Sequence, residues 1–152
     1  LTSGMGTGAF SVLLLRLTIL HERIATSEAS TSRAIKRFSK FRALLEGNHT
    51  RWHQVSNYAT AIGCTEKSLT RASLEAVGRS AKDVIAARIV LEAKRFLAHS
   101  DLPVYLIAAN LGFDEATNFS KFFRRETGCT PGAFRVRENV MGDRGDTPTQ
   151  PS

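Results

Sequence analysis

The sequence is poor in the residues that cross-link small secreted domains or bind metals. Its two cysteines, Cys64 and Cys129, are far apart and form no Cys-x-x-Cys pair, which argues against a disulfide scaffold. Its four histidines, at positions 21, 49, 53 and 99, lack the spacing of paired metal ligands. We therefore expect free thiols in a reducing cytoplasm, no metal site and no cofactor.

A hydrophobic run long enough to cross a membrane is also lacking. The most apolar stretch, AFSVLLLRLTIL at residues 9–20, is too short for a bilayer and is interrupted by Arg16. No basic segment precedes it, which argues against a signal peptide. The sequence therefore predicts no membrane partner.

Acidic residues are fewer than basic ones. The chain has 14 Asp and Glu against 21 Lys and Arg, a formal net charge of +7. A basic domain favours phosphate groups or another anionic surface. Charge alone does not separate nucleic-acid binding from a generally basic, solvated surface, so that distinction depends on the motifs.

The N-terminal region predicts two helices. The first is marked by Leu13, Leu17, Leu20 and Ile24, which have helical spacing in a segment that is apolar on its other faces too. A helix that is apolar all round requires burial, either against a second copy or another domain, or in a core whose other members precede it in the chain.

A linker rich in Ser and Thr is predicted at residues 26–32, before the second helix at residues 33–47. Gly47 is predicted to end that helix. One side of it carries basic residues, and the other carries Ile35, Phe38, Phe41, Leu44 and Leu45.

From about residue 51 the chain repeats itself. Six positions of similar character, from Val55 to Cys64, recur at a constant offset of 49 residues. Further along the chain the offset becomes 50. The first copy contributes Val55, Tyr58, Ala59, Ile62, Gly63, Cys64, Leu69, Gly78 and Ser80, and the second Val104, Ile107, Ala108, Leu111, Gly112, Phe113, Phe119, Gly128 and Thr130. Each copy predicts a helix, a tight turn and a second helix, at about residues 54–78 and 103–128.

Cap and turn residues mark the ends of these helices. Gly63 and Gly112 suit a left-handed turn. We expect helix N-termini at Asp101–Pro103, Asp114 and Thr130–Pro131, and a C-terminus at Gly128.

Residues 80–100 join the two copies and predict one continuous helix. Ser80 and Asp83 form a start that resembles a capping box. An apolar stripe of Ile85, Ile89, Ala93 and Phe96 follows. At 1.5 Å per residue this helix is roughly 28 Å long, against about 34 Å for one turn of DNA. A rigid rod of that length is suited to hold two units over consecutive major grooves of DNA, if the units bind it.

The second helix of the second copy, residues 115–127, separates an aromatic face from a polar one. Phe119, Phe122 and Phe123 fall on one face and anchor the helix in a core. Such a helix suits a major groove, because its outer side chains reach base edges and phosphates. The outer side chains are Thr117, Lys121 and Arg124, with Asn118 and Arg125 on the flanks.

The second helix of the first copy follows this plan less strongly. Ser73 occupies the position of Phe123, so we expect this helix to be less firmly anchored. Its predicted inward residues are Leu69, Ala72 and Ala76, and its outward ones are Lys67, Arg71 and Leu74, with Ser68, Thr70 and Glu75 beside them. A solvated bundle helix explains one such copy, but two copies at matching offsets favour a pair of reading helices.

Residues 51–138 resemble the DNA-binding domain of AraC/XylS-type bacterial transcription regulators. IAANLGFDEATNFSKFFRRETGCTPGAFR is close to that family's signature, and YATAIGCTEKSLTR and EAKRFL are similar to its first unit and connecting helix. The resemblance implies an all-α fold of two helix-turn-helix subdomains joined by a long connecting helix, preceded by one or two extra helices.

The resemblance also implies a function. The chain is expected to be a sequence-specific activator of transcription that binds double-stranded DNA and is not an enzyme. RNA polymerase and a second copy, bound through the N-terminal region, are candidate partners. Arg71 is expected to pair with guanine and Asn118 with adenine. The base readers carried over by position are Lys67, Thr70, Arg71, Ala116, Thr117, Asn118 and Lys121, and Ser68, Arg124 and Arg125 complete the predicted DNA-binding set.

Four parts are expected along the chain. Residues 1–32 resemble the helical remnant of a regulatory or dimerisation domain, 33–50 form a linker helix, 51–138 form the DNA-binding domain, and 139–152 form a disordered tail. Two alternatives stay open. A module associated with a DNA-repair alkyltransferase requires a reactive cysteine or a four-cysteine metal site. A basic helical module that binds an anionic surface requires neither.

Overall fold

Seven α-helices and no strand make up the part of the protein that the computed structural model describes, residues 7–144. This confirms the all-α fold predicted from the sequence. No helix in this range is both long and apolar enough to cross a membrane. The helices are α1 (Thr7–Asn48), α2 (Val55–Ile62), α3 (Glu66–Val77), α4 (Ala81–His99), α5 (Val104–Asn110), α6 (Ala116–Thr127) and α7 (Pro131–Gly142).

The N-terminal region forms one helix rather than two. α1 continues through residues 26–32, so the predicted linker there is wrong. Neither Gly nor Pro occurs between residues 9 and 46, and Ser or Thr lowers helix propensity by only about 0.5 kcal/mol. Thr26 Oγ1 donates a hydrogen bond to the Glu22 carbonyl at 2.8 Å, which a helical backbone accommodates. The helix also continues one residue past Gly47, its predicted end.

The C-terminal part of α1 packs against the rest of the chain. Ala34, Phe38, Phe41 and Leu45 are buried, whereas the predicted inward residue Ile35 is 52% exposed. Ile35 lies about 100° round the helix from Ala34, and the buried stripe follows Ala34. Every residue from 10 to 33 is exposed. The N-terminal part of α1 thus presents nine large apolar side chains to solvent: Phe10, Val12, Leu13, Leu14, Leu15, Leu17, Ile19, Leu20 and Ile24.

The first of two hydrophobic cores is enclosed by α1, α2, α3 and the start of α4. Phe41 and Tyr58 are fully buried there, with ring centroids 5.3 Å apart in an edge-to-face arrangement. Tyr58 Oη donates a hydrogen bond to the Trp52 carbonyl at 2.9 Å. Burial raises the pKa of the Tyr58 phenol to about 12. Ile85 and Ile89 of α4 complete this core.

The second core is enclosed by α4, α5, α6 and α7. Phe119 and Phe123 of α6 and Leu111 are fully buried in it. Arg135 of α7 reaches back to the end of α4, where it donates to three carbonyl groups, among them that of Leu102 at 2.6 Å. The bonds to Leu97 and Ser100 satisfy backbone acceptors that the end of α4 leaves free, and the bond to Leu102 holds the segment that leads to α5.

Two of the predicted N-caps are confirmed and two are wrong. Ser80 and Thr130 accept hydrogen bonds from the backbone N–H groups three residues on, at 3.1 and 3.2 Å. Asp101 and Asp114 lie two residues and one residue before the N-cap positions of α5 and α6. From there a carboxylate is too early in the chain to reach the first-turn N–H groups, and neither N-cap residue supplies a side-chain bond.

The C-terminal segment is helical further than predicted. α7 extends to Gly142, so residues 139–142 do not belong to a disordered tail. Residues 145–152 of the predicted tail and residues 1–6 of the predicted remnant lie outside the described residues.

Candidate nucleic-acid interface

α6 presents the polar face that the sequence predicts. Phe119 and Phe123 hold one side of the helix in the second core, which leaves the opposite side in solvent. The surface therefore combines hydrogen-bonding groups with positive charge, which suits base edges and phosphates. The exposed side chains are Thr117, Asn118, Lys121, Arg124 and Arg125.

Two predicted residues on α6 make contacts within the protein. Ala116 is half-buried and packs against the second core, so its methyl group is less available to DNA than predicted. The Arg125 guanidinium lies over the Phe122 ring, 5.6 Å from its centroid, and Arg125 Nε donates to Glu126 Oε1 at 3.2 Å. These contacts hold the Arg125 cation close to the helix.

α3 is anchored differently from α6. Leu69 and Ala72 are buried as predicted, but Ala76 is exposed because the end of α3 extends past the first core. Ser73 is fully buried, and its Oγ donates to the Arg79 carbonyl at 2.7 Å. At the position where α6 buries an aromatic ring, α3 therefore buries a hydroxyl group with one hydrogen bond, and that α3 is less firmly anchored stays a prediction.

The predicted reading residues of α3 divide into two groups. Lys67 and Arg71 are exposed, whereas Ser68 and Thr70 are half-buried. Ser68 lies beside α1, which runs along α3 in a position that the sequence pattern does not predict. A shallow cavity between the two helices is lined by Ser68, Arg71, Ala72 and Glu75 of α3 and by Ser30, Arg33, Ala34 and Arg37 of α1.

Arg33 and Arg37 therefore add positive charge beside the predicted reading face of α3. The sequence did carry a signal for them. In the segment RAIKRFSKFR a basic residue recurs every three or four positions, which places the cations on one side of a helix. What the pattern did not indicate is the element against which that side lies.

α4 connects the two copies as a single helix of 19 residues, roughly 28 Å long, and so confirms the predicted rod. Arg88 of α4 donates to Glu46 of α1 and to Glu92, both at 3.0 Å. The hydrogen bond from Arg88 is the main reason that the pKa of Glu46 is lowered. The pair with Glu46 joins the packed end of α1 to α4, whereas the pair with Glu92 lies within α4. The first core, to which α1, α3 and α4 all contribute, packs these helices together.

No group of three His, Cys, Asp or Glu side chains within residues 7–144 is placed to hold a metal ion. Cys64 and Cys129 are free and half-buried, and they pack against the first and the second core respectively. A four-cysteine metal site, one of the two options open to the alkyltransferase alternative, needs more thiols than the two in the sequence.

Comparison with known proteins adds an independent observation. A helix-turn-helix domain family matches residues 58–137, slightly more than half of the chain. The HTH-type transcriptional regulator RipA of Corynebacterium glutamicum is 32% identical over 98 residues, which cover 64% of this chain and 29% of RipA. The HTH-type transcriptional activator RhaR of Klebsiella pneumoniae is 25% identical over 126 residues, which cover 83% of this chain and 45% of RhaR. The chain thus spans less than half the length of these relatives.

Solved structures share the fold. The DNA-binding domain of AdpA, in complex with a target DNA, matches with a TM-score of 0.62 and 25% identity, over 71% of this chain and 97% of that domain. The C-terminal domain of the response regulator yesN from Fusobacterium nucleatum matches with a TM-score of 0.58 and 21% identity, over 62% of this chain and 93% of that domain. Both matches include nearly the whole of the known domain.

Proposed function

Because the chain belongs to the AraC/XylS-type helix-turn-helix family, we propose that it is a sequence-specific transcription factor whose α3 and α6 enter two consecutive major grooves of double-stranded DNA. One observation carries this proposal. Two helices at matching positions of a duplicated unit each bury one face and expose cations and hydrogen-bonding groups. The name of RhaR describes an activator, which supports activation as the mode of action.

Different side chains have different roles in this proposal. Arg71 is exposed on α3 and reads guanine, because its guanidinium matches the two acceptors of that base. Asn118 is exposed on α6 and reads adenine, because its amide both donates and accepts. Lys67 is a further base reader on α3, whereas Arg124 contacts a phosphate, and phosphate contacts make the affinity fall steeply with salt.

Selection of bound duplexes from a random pool tests these roles. We expect Arg71→Ala and Asn118→Ala to relax the preference at different halves of the selected site, each at a loss of about 1–3 kcal/mol. Arg71→Lys is the matched control: it keeps the charge but loses the two-pronged geometry, so the guanine preference falls while the salt dependence stays. Equal weakening on every sequence by both alanine variants would contradict the assignment of readers.

The exposed N-terminal half of α1 supports a second proposal, that two copies of the chain pair through it. Phe10, Leu13, Leu17, Leu20 and Ile24 follow one another at alternating steps of three and four residues. This is the period of a coiled-coil seam. The same period continues into the stripe that α1 buries in the first core. One continuous stripe of α1 therefore makes both the contact with the first core and the proposed contact with the second copy. A second copy presents the identical stripe and thus a matching surface.

Sedimentation of the purified chain tests the pairing. Leu17 is 55% exposed and lies on the seam, so Leu17→Glu is expected to raise the dimer dissociation constant about tenfold or more by placing a charge in an apolar contact. Ile35→Glu is the control, because Ile35 is 52% exposed on the same helix but off the seam. A monomeric wild-type chain, or equal effects of the two variants, would refute the pairing.

Such a factor acts on chromosomal DNA in the bacterial cytoplasm. As an activator it places RNA polymerase beside its own binding site, and polymerase is therefore the proposed protein partner. Paired copies bind two sites at once, which raises the affinity without any new contact to DNA.

A further inference from the structure

The loop that follows α1 is pressed against the turn between α5 and α6. A Cβ atom added to Gly112 would overlap the carbonyl oxygen of Thr50 and would lie 2.9 Å from the carbon of that group and 3.2 Å from His53 Nε2. Gly112 has φ +84, a conformation that also disfavours any side chain. The backbone of the loop that leads into the first unit therefore meets the backbone of the second unit directly at this point.

A hydrogen bond joins the same two segments. His53 Nε2 donates to the carbonyl oxygen of Leu111 at 2.7 Å, across 58 positions of the chain. A carbonyl oxygen can only accept, so the proton must be on Nε2. The imidazole also packs against the Phe113 ring, with centroids 4.7 Å apart. One histidine of the first unit thus contacts two residues of the second.

Behind this contact the two cores share a wall. Phe113 and Phe122 belong to the second unit by sequence, yet both pack against the first core as well as the second. The rings of Phe113 and Phe122 lie 5.3 Å apart. A rotation of one unit against the other would have to break this apolar contact together with the hydrogen bond.

The first copy of the motif makes no equivalent contact at its glycine. Gly63 has the same left-handed backbone, φ +80, but no atom lies within 4 Å of a Cβ added there. The residue that follows it is Cys64, where the second copy has Phe113. The close approach is therefore a property of the second turn and is not required by the helix-turn-helix motif itself.

We infer that this contact sets the spacing of the DNA half-sites that the protein accepts. We call it the clasp, formed by Thr50, His53, Leu111, Gly112 and Phe113. α4 and the shared wall of Phe113 and Phe122 link the units on one side. The clasp adds a link between the loop after α1 and the turn after α5, and it fixes the angle between α3 and α6. His53 is a positioning residue: it acts on DNA recognition through the orientation of the reading helices.

The inference rests on the proposed DNA binding. Two linked modules bind tightly when their geometry matches both targets, and a fixed angle makes that match selective. One added base pair rotates a half-site by about 34–36° about the duplex axis. A protein with a fixed angle loses a good part of its affinity on such a duplex, whereas a protein that can rotate loses less.

Duplexes obtained by selection with the wild-type chain supply the test. One duplex has its half-sites at the selected spacing, and two others have them one base pair further apart or one base pair closer. A further duplex contains a single half-site. We expect wild type to lose roughly tenfold in affinity when the spacing changes. His53→Ala should bind the selected spacing roughly three- to tenfold more weakly, lose about twofold or less when the spacing changes, and bind the single half-site as wild type does.

His53→Gln supplies the conservative variant, because its amide nitrogen can donate to the Leu111 carbonyl. It should restore a large part of the spacing preference. Thermal unfolding of each variant separates loss of the clasp from loss of the fold. A His53→Ala variant that is folded and keeps the wild-type spacing preference would overturn the inference. Failure of the wild-type chain to bind any selected duplex would instead overturn the proposed function.

Discussion

Gly112→Ala is expected to lower the free energy of unfolding by about 3 kcal/mol or more, against about 1 kcal/mol for Gly63→Ala. Both glycines have a left-handed backbone, at φ +84 and +80, so both variants pay the same conformational strain. The two sites differ in their surroundings. A methyl group at position 63 enters open space, whereas at position 112 it meets the Thr50 carbonyl.

The partner at position 112 is backbone, and backbone cannot move aside as a flexible side chain can. Relief requires the loop at residues 49–54 to shift, which breaks the hydrogen bond from His53 to Leu111. Urea unfolding of the wild-type chain and the two variants measures the difference. Equal losses for the two variants would show that the close approach of the loop and the turn does not exist in solution.

Phe123→Ala is expected to lower the free energy of unfolding by about 3–5 kcal/mol, the range for a fully buried Phe in a packed core. Phe123 is 0% exposed, and its ring lies 5.9 Å from that of Phe119 and 5.7 Å from that of Phe134. The substitution leaves a cavity at the centre of the second core and removes the contact by which α6 is held against α7.

Tyr105→Ala is the matched control for this prediction. Tyr105 lies on α5 in the same unit and is 62% exposed, so loss of its ring is expected to change the stability by less than about 0.5 kcal/mol. Chemical unfolding measures both variants under the same conditions. A small loss for Phe123→Ala, comparable to that for Tyr105→Ala, would mean that α6 is not anchored by its aromatic face.

Local patterns in the sequence were sufficient to predict the helix-turn-helix units. The aromatic face of α6 follows from the spacing of Phe119, Phe122 and Phe123, because residues three and four apart share one side of a helix. The caps at Ser80 and Thr130 follow from side chains that reach the N–H groups of their own first turn. These features depend on neighbours in the chain, and the repetition of the whole unit reinforced them.

The sequence predictions are wrong or incomplete where several weak effects compete, or where the residues in contact lie far apart in the chain. Ser and Thr at residues 26–32 suggested a linker, but their small helix penalties do not end a helix that contains neither Gly nor Pro there. The apolar pattern predicts Ile35 in the core, but the buried stripe passes one residue earlier, through Ala34. A pattern of apolar residues shows that a helix has a buried face. It shows less well which residues at the edge of that face are buried.

The contact of His53 with Leu111 could not be predicted from the sequence, because no periodicity relates residues 58 positions apart. The repeat even obscures it, since Gly63 and Gly112 occupy matching positions and only the second is crowded. The position of α1 along α3 was unpredictable for the same reason. Both features depend on how complete helices pack against one another. The packing of α1 along α3 also determines which predicted readers are half-buried, such as Ser68, and which are exposed.

Methylation interference on a selected duplex would test most directly whether α3 and α6 bind neighbouring major grooves on one face of DNA. Methyl groups at guanine N7 project into the major groove, so they block binding where a helix enters it. We predict two clusters of interfering guanines about 10 base pairs apart, one of them lost with Arg71→Ala. A single cluster, or two clusters about 5 base pairs apart and hence on opposite faces, would contradict the two-groove mode of binding.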